Sequence, residues 1–214
     1  MAKERGQRKA KDKWKEKNWY TIVAPDYFSG KELSMGVGST PESMLGRKIE
    51  IPVSDLNGNF KKANARMIFQ ITSCQGNRCE TEFMGHTLSD DYIRRMVRRR
   101  KERIDIVKSF STQTHENVTV KLVIVTDGKL TSSKKVEIRN AVEEELTAKI
   151  SAMSYGDFAK YVINEDIYSD IVNATKDIYP VRKIEIRKSV KLSAQASPVS
   201  VGTNNSEAGV EQIS

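Results

Sequence analysis

The chain has 214 residues, with 36 Lys and Arg against 28 Asp and Glu, a net charge of +8 and a pI of about 9.4. That length allows one generous domain or two small ones, and the positive excess points to a polyanionic partner. The apolar runs fall far short of a membrane span and the charged N-terminus has no secretory pattern, so the expectation is a cytoplasmic chain with no membrane partner.

Residues 1–17 hold eight Lys or Arg and three acids, a net of +5. Trp14 is almost their only bulky apolar residue. Such a segment cannot bury enough to fold alone and reads as a basic arm, disordered unless bound to RNA. Its candidate RNA contacts are Lys11, Lys13, Lys15 and Lys17. For Trp14 two readings stay open, stacking on a base or packing on the domain.

Ordered structure is expected from Asn18, with Trp19, Tyr20, Ile22 and Val23 in a strand that Pro25 ends. Their strand-like spacing favours core packing over base stacking for Trp19, Tyr20 and Phe28. Glycines and Pro41 make Ser29 to Gly46 a loop-rich passage. Lys48 to Val53 alternates like a strand, with Pro52 marking an edge or end. After the Asn57-Gly58 turn, Ala65 to Ser73 presents Met67, Phe69 and Ile71 on one face. Arg78 to Met84 is its hairpin partner. Cys74 and Cys79 flank that turn and, in a cytoplasmic chain, are expected as free thiols. Two cysteines and two distant histidines do not make a four-ligand zinc site, so no metal or other cofactor is expected.

The next segment is the most informative. Ser89 suits an N-cap, Asp90 and Asp91 the first turn of a helix, and Arg94 to Arg103 reads RRMVRRRKER. Seven of those ten residues are Lys or Arg and one is acidic. At helical spacing, Tyr92, Ile93, Met96 and Val97 fall on one side, and Arg94, Arg95, Arg98, Arg99 and Lys101 on the other. An ordinary charged helix face mixes signs at i,i+4, and this one does not. Arg outnumbers Lys six to one, which favours bidentate phosphate contacts. Together with the arm, this run exceeds the whole net charge, so the remaining body is slightly acidic.

Ile104 to Phe110 and Val118 to Thr126 read as strands around a turn at Thr114 to Asn117. A helix follows from Ser132 or Ser133 to about Met153, with Ile138, Val142, Leu146 and Ile150 as its apolar stripe and Glu143 to Glu145 outside. Shorter helices are expected at Tyr155 to Ile163 and Asp166 to Ile178. In Val181 to Leu192, Ile184, Ile186, Val190 and Leu192 alternate with Lys183, Arg187 and Lys191, a strand with one cationic face. Residues 193–214 contain no Lys or Arg and only Glu207 and Glu211 as acids, which reads as a disordered low-charge tail. The expected domain is therefore 18–192. About seven strands and four helices in non-alternating order indicate an α+β fold, with a strongly curved, barrel-like, mostly antiparallel sheet and flanking helices.

Two ordered motifs are distinctive. The first is W-Y-x-x-x-A-P-x-x-F at Trp19, Tyr20, Ala24, Pro25 and Phe28. The second is Q-G-x-x-C-x-T-x-F-x-G-x-x-L at Gln75, Gly76, Cys79, Thr81, Phe83, Gly85 and Leu88, leading into the Arg-rich run. With Asp105-Ile106-Val107 and Ile178-Tyr179-Pro180 before a basic strand, the set resembles a ribosomal protein family. It is the small-subunit family shared by archaea and eukaryotes, called S-one-e or S-three-A-e, and the length resembles its archaeal branch. The resemblance covers roughly residues 11 to 192. It implies a non-catalytic constituent of the small (30S) ribosomal subunit, on the platform near the messenger exit. The implied partners are ribosomal RNA, neighbouring ribosomal proteins and, as a further candidate, messenger RNA. Arg94, Arg95, Arg98 and Arg99 would then lie against phosphates. The low-charge tail departs from the charged extension common in eukaryotic relatives.

Two other functions are open to a chain with such a basic surface. A nucleic-acid enzyme would need acid, base or metal-binding groups. Asp90 with Asp91 sits at a helix start and Glu143 to Glu145 on a helix surface, and no phosphate-binding P-loop or small-molecule site is apparent. A dissociable RNA-binding translation or initiation factor shares the same basic surface and is the alternative.

Overall fold

A computed structural model describes residues 14, 17–58, 62–164 and 166–192. The residues 1–13, 15 and 16 of the basic arm, and the whole of the 193–214 tail, lie outside the described residues. Eight strands form one sheet: β1 (Asn18–Val23), β2 (Glu32–Gly38), β3 (Lys48–Pro52), β4 (Ala65–Gln75), β5 (Arg78–Leu88), β6 (Glu102–Ser111), β7 (Asn117–Thr126) and β8 (Val181–Lys191). The helices are α1 (Val53–Asn57), α2 (Asp90–Met96), α3 (Ser132–Ala152), α4 (Tyr155–Ile163) and α5 (Asp166–Thr175), with 3-10 turns at Asp26–Phe28 and Pro41–Met44.

The strand order is β2-β1-β5-β8-β7-β6, and β4 joins both β3 and β5. Every pairing is antiparallel except β1 with β5. The sheet branches at β5. Its first residues, Arg78 to Glu80, pair with β1, while Gly85 to Thr87 near its end pair with β8. Gly85 sits there with φ 148°, and a Cβ on it would lie 2.8 Å from the carbonyl carbon of Ser189 and 3.1 Å from the Cα of Val190. Only glycine lets β8 approach this closely. The α+β expectation holds, and the sheet is mostly antiparallel. Closure into a barrel does not occur among the described residues, because no pairing links β2 or β3 to β6.

The main core lies between the sheet and α3–α5. Phe69, Phe83, Ile104, Leu122 and Ile124 come from the strands. Ile138, Val142, Leu146 and Ile150 come from α3, and Phe158, Ile167 and Ile171 from α4 and α5. The helical 3.6-residue stripe read from the sequence is thus the buried face of α3. A smaller cluster joins Tyr20, Ile22, Met44, Ile71 and Cys79. Tyr155 links the two layers by donating its hydroxyl to the Phe83 carbonyl at 2.6 Å.

Three expectations need correction here. Residues 32–38 are a strand, not loop. Gly36 and Gly38 are there because Met44 packs against that strand: a Cβ on Gly36 would come 2.5 Å from the Met44 Cε. Val53–Asn57 forms one helical turn, entered through Pro52 and ended by the left-handed Gly58. Cys74 and Cys79 are not free thiols but a disulfide. The hairpin register sets them directly opposite, with Cα atoms 4.0 Å apart, and Cys79 is fully buried.

Candidate nucleic-acid interface

α2 starts at the N-cap Ser89, whose side chain makes no capping bond, and Asp90 and Asp91 occupy its positive first turn. Ile93 anchors it in the core. The helix ends at Met96, however, and does not run through Arg103. Val97 turns extended, Lys101 N–H closes a turn on the Arg98 carbonyl at 3.2 Å, and Arg100 takes a left-handed φ of 66°. The cause is the next strand. Ile104 and Ile106 bury and pair with β7, and that long-range ladder overrides the helix propensity of Arg and Lys.

The cations are therefore delivered by a helix end and a turn rather than by one helical face. Arg94, Arg95, Arg98, Arg99 and Arg100 are all exposed. Arg94 and Arg95 also complement the negative end of α2. None of the five has a carboxylate within ion-pair distance among the described residues. Arg95 makes only a 3.3 Å bond to the Asp91 carbonyl. Arg100 was missed as a candidate because a helical wheel turns it away from its neighbours.

Lys101 does not belong to this set. Its ammonium lies 2.5 Å from Asp127, which Arg182 also meets at 3.1 Å. Those hydrogen bonds, Lys101 first, hold the Asp127 carboxyl below the usual range. The trio clips the turn to the far ends of β7 and β8.

β8 brings its cations to the same edge, with one correction. Tyr92 of α2 donates to Glu185 at 2.9 Å and accepts from Lys183 at 2.6 Å, while Arg187 meets Asp90 at 3.3 Å. α2 and the first half of β8 thus form one surface, although some 90 residues separate them. Between Ile186 and Lys188 the register against β7 slips by one residue. Arg187 and Lys188 are consecutively exposed, and the alternation changes phase. Lys191 is consequently turned inward with a side chain 15% exposed, bound to Glu82 and to Glu116 (2.6 Å to the latter). Burial opposes its charge, but the hydrogen bonds it donates to Glu116 and Glu82 outweigh that and raise its pKa. Its role is structural, and it is not on the cationic face.

At the other end of the sheet, Lys17 lies 3.8 Å over the ring of Trp14, which is 71% exposed. Lys11, Lys13 and Lys15 lie outside the described residues. Tyr20 is buried and Phe28 packs edge-on against Phe69 and Phe83, as expected. Trp19 is not packed: it is 66% exposed, because Tyr20 and Ile22 take the core-facing positions of β1.

His86 is buried beside this surface. Its Nε2–H donates to the Ile186 carbonyl at 2.9 Å, so Nδ1 is the acceptor from the Ser189 hydroxyl at 3.0 Å. Burial pushes its pKa down to about 4, with the Ile186 bond opposing. It is a neutral core group. Among the described residues no three His, Cys, Asp or Glu side chains are placed to hold a metal ion, and no helix is long and apolar enough to cross a membrane.

The sequence profile of the Ribosomal S3Ae family matches residues 5–195. The chain is 54% identical over 200 residues to the small ribosomal subunit protein eS1 of Thermoplasma acidophilum, covering 92% of this chain and 93% of that one. It is 49% identical over 207 residues to eS1 of Thermoplasma volcanium, with 96% of each covered. It is 37% identical over 182 residues to eS1 of Saccharolobus islandicus strain L.S.2.15, with 83% and 86% covered.

Proposed function

The chain belongs to the Ribosomal S3Ae family, and on that footing we propose that it is a structural constituent of the small ribosomal subunit that holds ribosomal RNA at its Arg-rich corner. The observation that carries the RNA contact is the group of five exposed arginines with no carboxylate partner among the described residues. A polyanion is needed to neutralise them, and guanidinium–phosphate contacts would position the protein without reading sequence. Lys183 and Arg187 extend the surface along β8, and the basic arm, residues 1–17, adds a second set of cations. The body, 18–192, serves as the packed unit that meets neighbouring ribosomal proteins. Function on the platform near the messenger exit, with messenger RNA as a further contact, fits the same reading. The protein works in the cytoplasm, within the ribosome, and as a constituent rather than a catalyst. The paired positions of Asp90, with Arg187, and Glu143, with Lys108, favour structural roles for those carboxylates.

The test is incorporation. The wild-type chain should stay at near one copy per small subunit through a wash of about 0.5 M salt, where a dissociable factor held by phosphate contacts would come off. Changing Arg94, Arg95, Arg98 and Arg99 to Glu should leave the fold intact, since all four are exposed, yet abolish incorporation. Normal occupancy of that variant would refute the assignment of this corner. Loss of the wild-type protein on washing would favour the dissociable factor.

A further inference from the structure

The β6–β7–β8 part of the sheet has two faces, and only one is fully covered. The inner face packs on α3–α5 through residues such as Ile104, Ile106, Leu122 and Ile124. Alternation sends Val123 and Val125 of β7 to the outer face. Both are 1% exposed, yet neither belongs to the core under α3–α5. The register sets them between Arg103 and Asp105 of β6 and Lys183 and Glu185 of β8, and Tyr92 of α2 bonds to both of the latter. α2 and the Arg-rich turn therefore cover this end of the outer face. Two residues further along β7, roughly 7 Å away, the cover stops. There Val107, Lys121 and Lys188 stand side by side across the three strands, all exposed. The register slip at Arg187 is what sets Lys188 opposite Lys121. Like charges directly opposite one another destabilise a strand pair. Neither lysine has a carboxylate within ion-pair distance among the described residues. The nearby acids are engaged elsewhere: Asp105 by Arg103, Asp90 by Arg187 and Glu185 by Tyr92.

We infer that Lys121 and Lys188 together grip a backbone phosphate of the RNA that the Arg-rich corner holds, so that the RNA continues across the bare half of this sheet face. The inference rests on the ribosomal reading and extends it to a second anchoring point that no sequence pattern marks. A phosphodiester has two unesterified oxygens, and each can accept a charge-assisted bond from one ammonium group. The anion turns a repulsive cross-strand pair into a shared attraction. The surroundings suit a backbone rather than a side chain, because the next row along the strands is low. It carries Ser109 and Thr119, whose hydroxyls meet at 2.9 Å and can turn to ribose 2′-hydroxyls. Continuity with the corner is direct. Arg187, beside Lys188, is bound to Asp90 in the first turn of α2, the helix that carries Arg94 and Arg95. An acidic protein segment could satisfy the two lysines alone. The five unpaired arginines at the same end of this face call for a longer run of negative charge, which RNA carries at every residue.

The experiment measures binding of the full-length chain to small-subunit ribosomal RNA over a series of salt concentrations, with transfer RNA as competitor. Lys121→Gln and Lys188→Gln remove the charges and keep the side-chain length. Lys160→Gln, at an exposed position on α4 on the other side of the sheet, is the control. Each of the two outer-face variants should lower the slope of log affinity against log salt by about one, the double variant by about two, and the control not at all. The thermal midpoint of the free double variant should equal or exceed that of the wild type, since a repulsion has been removed. A double variant with the wild-type slope would overturn the phosphate grip and leave the Arg-rich corner standing. A slope lowered equally by the control would overturn it as an effect of net charge alone. In intact subunits, carbodiimide cross-links from Lys121 or Lys188 to a carboxylate of a neighbouring protein would overturn it in favour of an acidic protein segment. Failure of the wild-type chain to bind the RNA above the competitor would refute the ribosomal RNA reading, and the inference with it.

Discussion

Replacing Gly85 with alanine attacks the point where β5 meets β8. The new methyl group would be driven into the Ser189 carbonyl, 2.8 Å from its carbon, and the neighbour is backbone that cannot rotate away. The φ of 148° adds strain of about 1–3 kcal/mol for any residue with a Cβ. Relieving the overlap means moving β8 outward. That breaks the Gly85↔Val190 and His86↔Ser189 pairings and the hydrogen bonds of His86 to Ser189 and Ile186. At about 1 kcal/mol net for each lost bond, the total comes to roughly 3–5 kcal/mol. For a domain of this size that corresponds to a drop in Tm of about 10 °C. The assay is thermal unfolding by circular dichroism, with Gly76→Ala as control. Gly76 also has a positive φ, 59°, but its Cβ would meet nothing within 4 Å, so it should cost only about 1 kcal/mol. If Gly85→Ala melts within a degree or two of Gly76→Ala, the close approach of the strands is not what requires glycine there.

Other perturbations have defined signs. His86 is neutral when folded, with a pKa near 4 against an ordinary 6.5, so the unfolded chain binds the extra proton between those values. Its stabilisation is complete above pH 6.5 and lost as the pH falls toward 4, by roughly 3 kcal/mol. Denaturant titrations should show this loss, and His86→Gln should flatten the slope in that window. Lys191→Ala leaves Glu82 and Glu116 facing each other, so it should destabilise by about 2–3 kcal/mol yet leave the salt dependence of RNA binding unchanged. A slope reduced by about one unit would instead put Lys191 on a phosphate. Reducing the Cys74–Cys79 disulfide releases only a short loop and should cost about 2 kcal/mol, read as a lower Tm with a phosphine reductant. An unchanged Tm would mean the hairpin holds its register without the bond.

The legible parts of this fold are those where local pattern and tertiary environment agree. Ile138, Val142, Leu146 and Ile150 announce α3, and Met67, Phe69 and Ile71 announce β4, because each side chain sits at the period its element imposes. The missed parts have distant causes. Gly36 and Gly38 look like loop residues until Met44 is seen occupying the space their side chains would take. The run from Val97 to Glu102 favours helix on its own, and only pairing with β7 unwinds it. The bulge at Arg187 is invisible in a pattern of alternating residues, yet it decides that Lys183 faces outward while Lys191 turns to carboxylates on β5 and before β7. Arginine clustering is what marks the candidate interface in the sequence. Which cations are already spoken for depended on ion pairs such as Lys101–Asp127 that no local reading contains.

The place of β8 also fixes an order of events during synthesis. Among the described strands it is the last to leave the ribosome that makes the chain, and it slots between β5 and β7, bonding to residues as far as 109 positions earlier. Until it emerges, two hairpins wait with unpaired inner edges, β4–β5 on one side and β6–β7 on the other. Such edges invite pairing with other chains. The nascent protein is thus most vulnerable to aggregation in the interval between completing β7 and completing β8, while α3, α4 and α5 are being added. A chaperone, or early engagement of the Arg-rich turn by RNA, would have its greatest effect in that interval. Late, non-local closure of this kind is slow, and a chain released before Val181 would keep both edges open.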